Sequence, residues 1–352
     1  MSMKLLTLTM AGLAQADVSV TIQENGVAKN LYAVGSKWAP VTAASNGFSL
    51  PHSGRTYLGT KDGNGGFSSD MFYKPNLLGG SIEWDMDLSQ AGCGCNAALY
   101  LISMPGYKAD GSPDPSQGGD YYCDANKVGG SWCPEMDIME ANTYAWHMTP
   151  HTCDSPQGNH YYNCDRGGCG KAIHQVDGNA YGPGSQYRIN SQRQFNAKVN
   201  FNQSGSDGMD SITLDLKQGS NSFSMTVADA DCAYGYLNNM AKALKDGMTM
   251  SVSNWGQPGL SMSWLDGDTG CNEWCGNNPS ITTSNIKYTT GGHGPVPPTP
   301  PGPKPGNYEY GSACASKSDD DCGNSCNECD WSWPVNDPAK WASKDAKCRC
   351  KN

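Results

Sequence analysis

The chain of 352 residues is poor in charge, and positive charge is the scarcer kind. Only 16% of its residues are charged, with 24 Lys and Arg against 34 Asp and Glu, for a formal net charge of −10. Because few basic groups could pair with phosphates, this balance argues against a nucleic-acid or anionic-membrane partner and suits a neutral ligand. Helix-favouring charged residues are sparse while glycine is plentiful at 43 residues, which favours an all-β fold.

Long apolar runs and internal repeats are also missing. The apolar run at the N-terminus extends from Leu5 to about Leu13, far too short to span a bilayer, and no other segment comes close. It follows Lys4 and precedes an Ala-Gln-Ala triplet that ends at Ala16, the pattern of a secretory signal with a small-x-small cleavage site. We therefore predict a signal peptide at residues 1–16 and a secreted, extracellular protein. The alternative is a buried N-terminal strand.

Cysteine is abundant, with 16 residues divided into two even sets. Ten precede residue 290: Cys93, Cys95, Cys123, Cys133, Cys153, Cys164, Cys169, Cys232, Cys271 and Cys275. Six follow it: Cys314, Cys322, Cys326, Cys329, Cys348 and Cys350. Two separately disulfide-bonded units in an oxidising compartment require this parity, although the pairing itself stays open. Zinc at Cys326-x-x-Cys329 is the alternative for the tail.

A Pro/Gly linker at residues 291–307 separates a large unit, residues 17–290, from a small unit, residues 308–352. The small unit is too short to be stable on a hydrophobic core alone, so we expect its cysteines to hold it together. It carries Trp331, Trp333 and Trp341. These residues either form its core or present a flat platform that stacks on sugar rings, as in a carbohydrate-binding module.

The large unit contains short alternating segments between turn signals. Strands are predicted at 80–89, 96–104, 194–202, 210–218 and 221–229, with a hairpin turn at Gly219-Ser220. One helix is predicted over 237–247, closed by Gly247. The pattern indicates an antiparallel sandwich whose concave face could hold a ligand.

Residues 133–142 read CPEMDIMEAN and place three acids among apolar residues. On a regular strand Glu135 and Asp137 share one face and Glu140 points away. A β-bulge between Asp137 and Glu140 would return Glu140 to their side. Three acids in one cleft raise each other's pKa and divide into roles, which is what glycoside hydrolysis requires. A calcium site or a solvated strand face would also account for a cluster of acids.

This acid motif and the Thr-Pro-His-Thr-Cys run at 149–153 resemble the signature of glycoside hydrolase family 7, the retaining cellulases. Collinear segments at 93–104, 121–124, 181–185, 255–266 and 284–288 extend the resemblance over about residues 75–290. The resemblance implies a concanavalin-like β-jelly-roll sandwich with an open cleft on the concave sheet. It also implies a monomeric endo-β-1,4-glucanase that acts on β-linked polysaccharide without cofactor or metal. The stretch from Cys123 to Cys133 is too short for a loop that covers the cleft, which favours endo action.

The resemblance assigns roles to the three acids. Glu135 corresponds to the nucleophile, Glu140 to the general acid/base, and Asp137 to a middle acid that hydrogen-bonds the nucleophile. Retention requires the outer carboxyl groups to lie about 5–5.5 Å apart.

The resemblance also assigns residues that bind substrate. His151 corresponds to a histidine near the acid/base, although a lone histidine can equally be structural. Trp255 and Trp264 correspond to tryptophans that stack on glucosyl rings, and either could instead be core. Groups that hydrogen-bond sugar hydroxyls are implied at four positions: Asn96, Tyr100, Tyr122 and Asp124.

One departure stands inside the motif, where Met139 replaces the usual tryptophan. We expect this change to remove a rigid wall beside the acids and to affect their pKa or the specificity, for example toward mixed-linkage glucan or xylan. A non-catalytic wall-polysaccharide-binding protein and a polysaccharide lyase are the alternative functions. Asn202 lies in the one N-glycosylation sequon.

Overall fold

The computed structural model describes residues 17–36, 40–63, 66–233, 235–257, 261–267, 269–271, 273–276 and 278–292. The predicted signal peptide at 1–16 lies outside the described residues, as do the linker beyond Gly292 and the small unit with Trp331, Trp333 and Trp341. None of the helices in the described residues is long and apolar enough to cross a membrane.

The described chain is built mainly of strands. They are β1 Val18–Glu24, β2 Val27–Gly35, β3 Thr42–Ala44, β4 Gly47–Pro51, β5 Gly54–Gly59, β6 Ser81–Asp87, β7 Asn96–Ile102, β8 Cys123–Asp124, β9 Ser131–Trp132, β10 Glu135–Ala141, β11 Trp146–His151, β12 Lys171–Ala172, β13 Tyr181–Gly182, β14 Ile189–Asn190, β15 Phe195–Ser204, β16 Gly208–Gln218, β17 Asn221–Ala228, β18 Thr249–Trp255 and β19 Ser280–Thr289. The helices are α1 Ile173–Val176, α2 Tyr236–Asp246 and α3 Ser263–Asp266, with a 3₁₀ turn at Asp229–Asp231.

All five strands predicted from alternation are present, as β6, β7, β15, β16 and β17. The hairpin between β16 and β17 turns at Gly219, whose φ of +60° is a left-handed conformation that glycine adopts without strain. The predicted helix is α2, which buries Leu237, Met240 and Leu244. It ends at Gly247, where an added Cβ would lie 2.6 Å from the Lys74 carbonyl oxygen, so only glycine fits.

The main sheet runs in the order β12-β11-β10-β7-β18-β5-β2-β1-β19-β6-β15-β16-β17, with β3 and β4 attached beside β19. We call β12 to β2 in this order the front half and β1 to β17 the back half. The main core lies between them, because it joins Leu99 and Val252 of the front half to Trp84 and Leu214 of the back half. The predicted all-β jelly-roll sandwich is therefore confirmed.

A second apolar cluster covers part of the outer face of the front half. It contains Tyr57 of β5 and Tyr100 and Ile102 of β7, packed against Tyr122 and the Cys123–Cys133 disulfide. The polypeptide between β7 and β10 thus folds back over the same sheet face that carries the acids.

All ten cysteines before residue 290 are paired, as their even number predicts. The disulfides are Cys93–Cys271, Cys95–Cys275, Cys123–Cys133, Cys153–Cys164 and Cys169–Cys232. Two of them join the segment before β7 to the segment after α3. In the described residues, Asp266 lies beside one of these pairs, Cys93–Cys271, whose sulfurs are bonded to each other rather than available as thiolate ligands.

Candidate active site

The three acids of β10 lie on one face of the front half because the strand is bulged. Against β7, Glu135 pairs with Ile102, Asp137 with Tyr100 and Glu140 with Ala98, with a register shift between Asp137 and Met139. Against β11 the register shifts between Asp137 and Glu140. Directly paired residues point to the same side, and Ala98, Tyr100 and Ile102 all belong to the outer cluster. The predicted bulge is confirmed.

The bulge also sends two consecutive side chains to the opposite face. Ile138 and Met139 are both fully buried in the main core. The expectation that Met139 lies beside the acids is therefore wrong, because the extra residue of the bulge turns it inward together with Ile138. The indole of Trp146, also fully buried in the core, donates a hydrogen bond to the Ile138 carbonyl at 3.1 Å. Trp146 was not predicted to matter, yet it pairs a carbonyl within the bulge.

Glu135 is buried, with 6% of its surface exposed. The backbone N–H of Ala125 donates to its Oε2 at 3.0 Å. Burial raises the pKa of Glu135 well above its usual range, and the charges of Asp137 and Asp124 raise it further. The charge of His151 and the Ala125 hydrogen bond act in the opposite direction on this pKa.

Asp137 contacts His151, which lies on β11. Asp137 Oδ2 is 3.1 Å from His151 Nε2, and both side chains are buried. His151 Nδ1 lies 2.9 Å from the Asp165 carbonyl oxygen, which can only accept, so Nδ1 carries a hydrogen. Burial and then the charges of Glu140 and Asp124 raise the pKa of Asp137 well above its usual range. The side chain of His151 thus contacts the middle acid, Asp137, while its backbone pairs with Glu135 on the neighbouring strand.

Glu140 is partly exposed and is held by Asn96 of β7. The Asn96 amide donates from Nδ2 to Glu140 Oε1 at 3.0 Å. Burial raises the pKa of Glu140, while the Asn96 hydrogen bond and the charge of His151 lower it. Asn96 is fully buried beneath this contact with the acid.

The two tyrosines predicted to bind sugar hydroxyls form an aromatic wall with residues that were not predicted. Tyr100 and Tyr122 are buried with their hydroxyls 3.3 Å apart. The Arg55 guanidinium carbon lies 3.7 Å from the centre of the Tyr122 ring. Tyr57, two residues further along β5, donates its hydroxyl to Asp120 Oδ2 at 2.8 Å. No local sequence pattern marks Arg55, because its contact is to a residue 67 positions away.

Asp124, two residues after Tyr122, is also buried. Its Oδ1 accepts the backbone N–H groups of Asn126 and Val128, each at 2.9 Å. Its charge raises the pKa of both Glu135 and Asp137. Asp124 therefore adds a fourth carboxyl to the acid cluster, and its hydrogen-bond partners in the described chain are backbone amides.

The two predicted stacking tryptophans lie at different places on the acid-bearing face. Trp255 is half-buried at the end of β18 and pairs with Asn96, so it shares the face of Glu140. Trp264 lies on α3 with 45% of its surface exposed. Its ring meets that of His147 at 6.3 Å between centroids and 88° between planes. His147 is the cross-strand partner of Glu140 and was not predicted from the sequence.

Comparison with known proteins gives one consistent family. The model for Glycosyl hydrolase family 7 matches residues 125–204. The chain is 30% identical over 237 residues to "Endoglucanase EG-1" of Humicola insolens, covering 54% of each protein. It is 29% identical over 304 residues to "Endoglucanase EG-1" of Hypocrea jecorina, covering 78% of this chain and 61% of that protein. The chain thus spans less than two thirds of the length of these relatives.

Solved structures share the fold. The native endocellulase EGI of Humicola insolens superposes with a TM-score of 0.63 at 20% identity, covering 80% of this chain and 98% of that one. A "GH7 Family Cellobiohydrolase" from Daphnia pulex gives 0.62 at 18% identity, covering 80% and 98%. The family-model match contains the bulged acid strand, so the chain resembles glycoside hydrolase family 7 in the segment that carries the three acids.

Proposed function

We propose that this protein is a secreted, retaining endo-β-1,4-glucanase that hydrolyses β-glucan by double displacement. The observation that carries the proposal is the bulge in β10, which puts Glu135, Asp137 and Glu140 on one sheet face. The relatives named endoglucanases support the same substrate class.

In the first step the ionised Glu135 carboxylate attacks the anomeric carbon while Glu140 donates its proton to the departing glycosidic oxygen. A glycosyl-enzyme forms and the sugar on the leaving side is released. In the second step Glu140 takes a proton from water, which attacks the anomeric carbon and frees Glu135. Two inversions retain the configuration.

The surroundings of the acids support this division of roles. Because His151 Nδ1 donates to the Asp165 carbonyl, one proton can be shared between His151 Nε2 and Asp137. That shared proton offsets negative charge beside Glu135. The Ala125 N–H, which donates to Glu135, also favours the ionised form of this carboxyl. The pKa values of Glu135 and Glu140 are both raised, so partial exposure distinguishes Glu140 and suits a group that must exchange a proton with water.

The proposal extends to parts of the chain outside the described residues. Residues 1–16 act as a secretory signal, and five disulfides in the described domain suit an oxidising compartment. Residues 308–352 act as a carbohydrate-binding module on the linker 291–307. Cys123 and Cys133 are only 10 positions apart and are bonded to each other, so this stretch has no long loop to cover the acids, which supports an open cleft and endo action.

Product analysis of the full chain on carboxymethyl-cellulose, mixed-linkage β-glucan, xylan and insoluble cellulose tests the proposal. We expect a rapid fall in viscosity relative to reducing ends released, and a β-anomer as the first product by NMR. Release of mixed-linkage or xylan products alone would favour the alternative substrates. Binding without turnover would favour the non-catalytic function, and an unsaturated, ultraviolet-absorbing end would indicate a lyase.

The module is tested by comparing the full chain with a chain that ends at residue 292. Equal rates on soluble glucan, with weaker retention of the short form on insoluble cellulose, are expected. If both forms are retained equally, residues 308–352 are not a cellulose-binding module.

A further inference from the structure

His147 lies between the acid Glu140 and the exposed Trp264. It is the cross-strand partner of Glu140, and directly paired residues of antiparallel strands have Cβ atoms about 4.5–5.5 Å apart on one face. Its ring packs edge-to-face on Trp264, and His174 of α1 lies on another side at 5.9 Å between ring centroids. One side chain therefore neighbours the acid and contacts the indole.

The backbone that carries Trp264 is fixed independently of its ring. Asp266, two residues further along α3, accepts a hydrogen bond from Asn142 Nδ2 at 2.6 Å and from the Gly94 N–H at 2.9 Å. Leu265 is fully buried. In the described part of the chain, the ring contact found for the indole is with His147. The Asp266 carboxylate therefore anchors α3, while His147 packs on the ring.

We propose that His147 is a positioning residue that fixes the Trp264 indole as the platform for the sugar on the leaving side of the scissile bond. This rests on the proposed function, because a platform needs a glucan to stack. A sugar ring stacks on the flat face of an indole, so the indole must leave that face open toward the sugar. Since His147 also neighbours Glu140, the tilt of the indole is set relative to the acid that protonates the departing oxygen.

Two substrates separate this role from a general structural one. Cellotetraose places glucosyl units on both sides of the scissile bond. In β-cellobiosyl fluoride the Glu135 carboxylate bonds to the anomeric carbon as the C–F bond breaks, and fluoride leaves with the electron pair. No sugar then occupies the leaving side, so Trp264 has nothing to stack on.

The experiment measures kcat/KM on both substrates for the full chain and its variants. We expect His147→Ala to lower kcat/KM on cellotetraose about tenfold, mainly through KM, and to change that for the fluoride less than about twofold. His147→Phe, which keeps the edge-to-face contact, should stay within about twofold of wild type on both. His160→Ala removes a histidine that packs on Tyr162 and serves as the matched control, with no change expected.

A double-mutant cycle and a binding measurement complete the test. His147→Ala should add little to the loss caused by Trp264→Ala, because the two act as one unit. Additive losses, or equal losses of His147→Ala on both substrates, would overturn the proposal. Calorimetry can measure cellotetraose binding without turnover, in Glu135→Gln and in the same variant that also carries His147→Ala. A Kd about tenfold weaker in the double variant supports the positioning role, and an equal Kd refutes it. Failure of the proposed function would show separately, as a wild type that hydrolyses neither substrate.

Discussion

The two faces of β10 differ in what they contain and in what they are built to do. Facing the main core are Met136, Ile138, Met139 and Ala141, all fully buried and apolar. On the other face are three carboxyl groups whose pKa values are all raised. A single strand therefore joins a face that stabilises the fold to a face that costs stability, and the bulge at Ile138 keeps Glu140 on the second face.

The largest expected effect comes from the acid face. Glu135→Gln should lower kcat on soluble glucan by at least about a thousandfold, because no glycosyl-enzyme can form without the carboxylate. Reducing-sugar release measures the loss, and circular dichroism checks that the fold is intact. Met136→Leu, the neighbour on the core face, is the matched control and should keep its activity. Undiminished activity in Glu135→Gln would refute the assigned nucleophile.

The core face should respond in the opposite way. Met139→Ala should lower the free energy of unfolding by about 2–5 kcal/mol, the usual cost of such a truncation at a fully buried site. Its kcat/KM, measured well below the melting temperature, should change little, because the side chain points away from the acids. Denaturant unfolding and steady-state kinetics measure the two quantities. A large change in the pH profile with unchanged stability would mean that Met139 does act on the acids.

The bulge itself can be weakened through Trp146. Trp146→Phe removes the indole N–H that pairs the Ile138 carbonyl, and an unsatisfied buried carbonyl costs about 1–3 kcal/mol. We also expect kcat to fall at least about tenfold, because a looser bulge misplaces Glu140 relative to Glu135.

Trp84→Phe is the matched control for that change. Trp84 is fully buried in the same core, and its indole nitrogen has no hydrogen-bond partner in the described chain. It should lose stability without a comparable fall in kcat. Equal kinetic effects of the two substitutions would show that the indole hydrogen bond does not hold the acid geometry.

The smallest expected effect is on folding stability, which is lowered at neutral pH by the buried carboxyl groups of the acid face. A carboxyl group with a raised pKa stabilises the folded protein below its unfolded pKa of about 4, and this contribution is lost as pH rises through the folded pKa. Asp137→Asn removes one such group, so it should raise the free energy of unfolding at pH 7 by about 1 kcal/mol or more. At pH 3.5 it should change stability less. Urea unfolding at both pH values measures this, and a loss of stability at pH 7 would mean that the His151 contact outweighs the burial of charge.

The sequence allowed much of this division to be predicted. Strict alternation in the segments that became β15, β16 and β17 marked them as strands buried on one face, and the even cysteine sets predicted complete pairing. The bulge followed from the need to bring Glu140 to the side of Glu135. A bulge before Glu140 also turns Met139 inward, because one extra residue reverses the direction of every later side chain. The expectation for Met139 did not include this reversal.

Other residues could not be found from local sequence. Asn96 reaches Glu140 across 44 positions of sequence, and His147 meets Trp264 across more than a hundred. These contacts depend on strand register and on loop closure between distant segments, which local periodicity does not encode. The resemblance pointed to Asn96 as a site residue but not to the group that it holds.

The two disulfides next to the cleft have a consequence for where the protein can work. Cys93–Cys271 and Cys95–Cys275 each close a stretch of about 180 residues and tether the segment after Trp264 to the start of the strand that holds Asn96. The segment after α3 and the strand that begins at Asn96 are thus covalently joined, although they are far apart in the sequence. In a reducing compartment α3, which carries Trp264, would keep only its noncovalent anchors. The position of Trp264 is therefore coupled to the redox state of the surroundings.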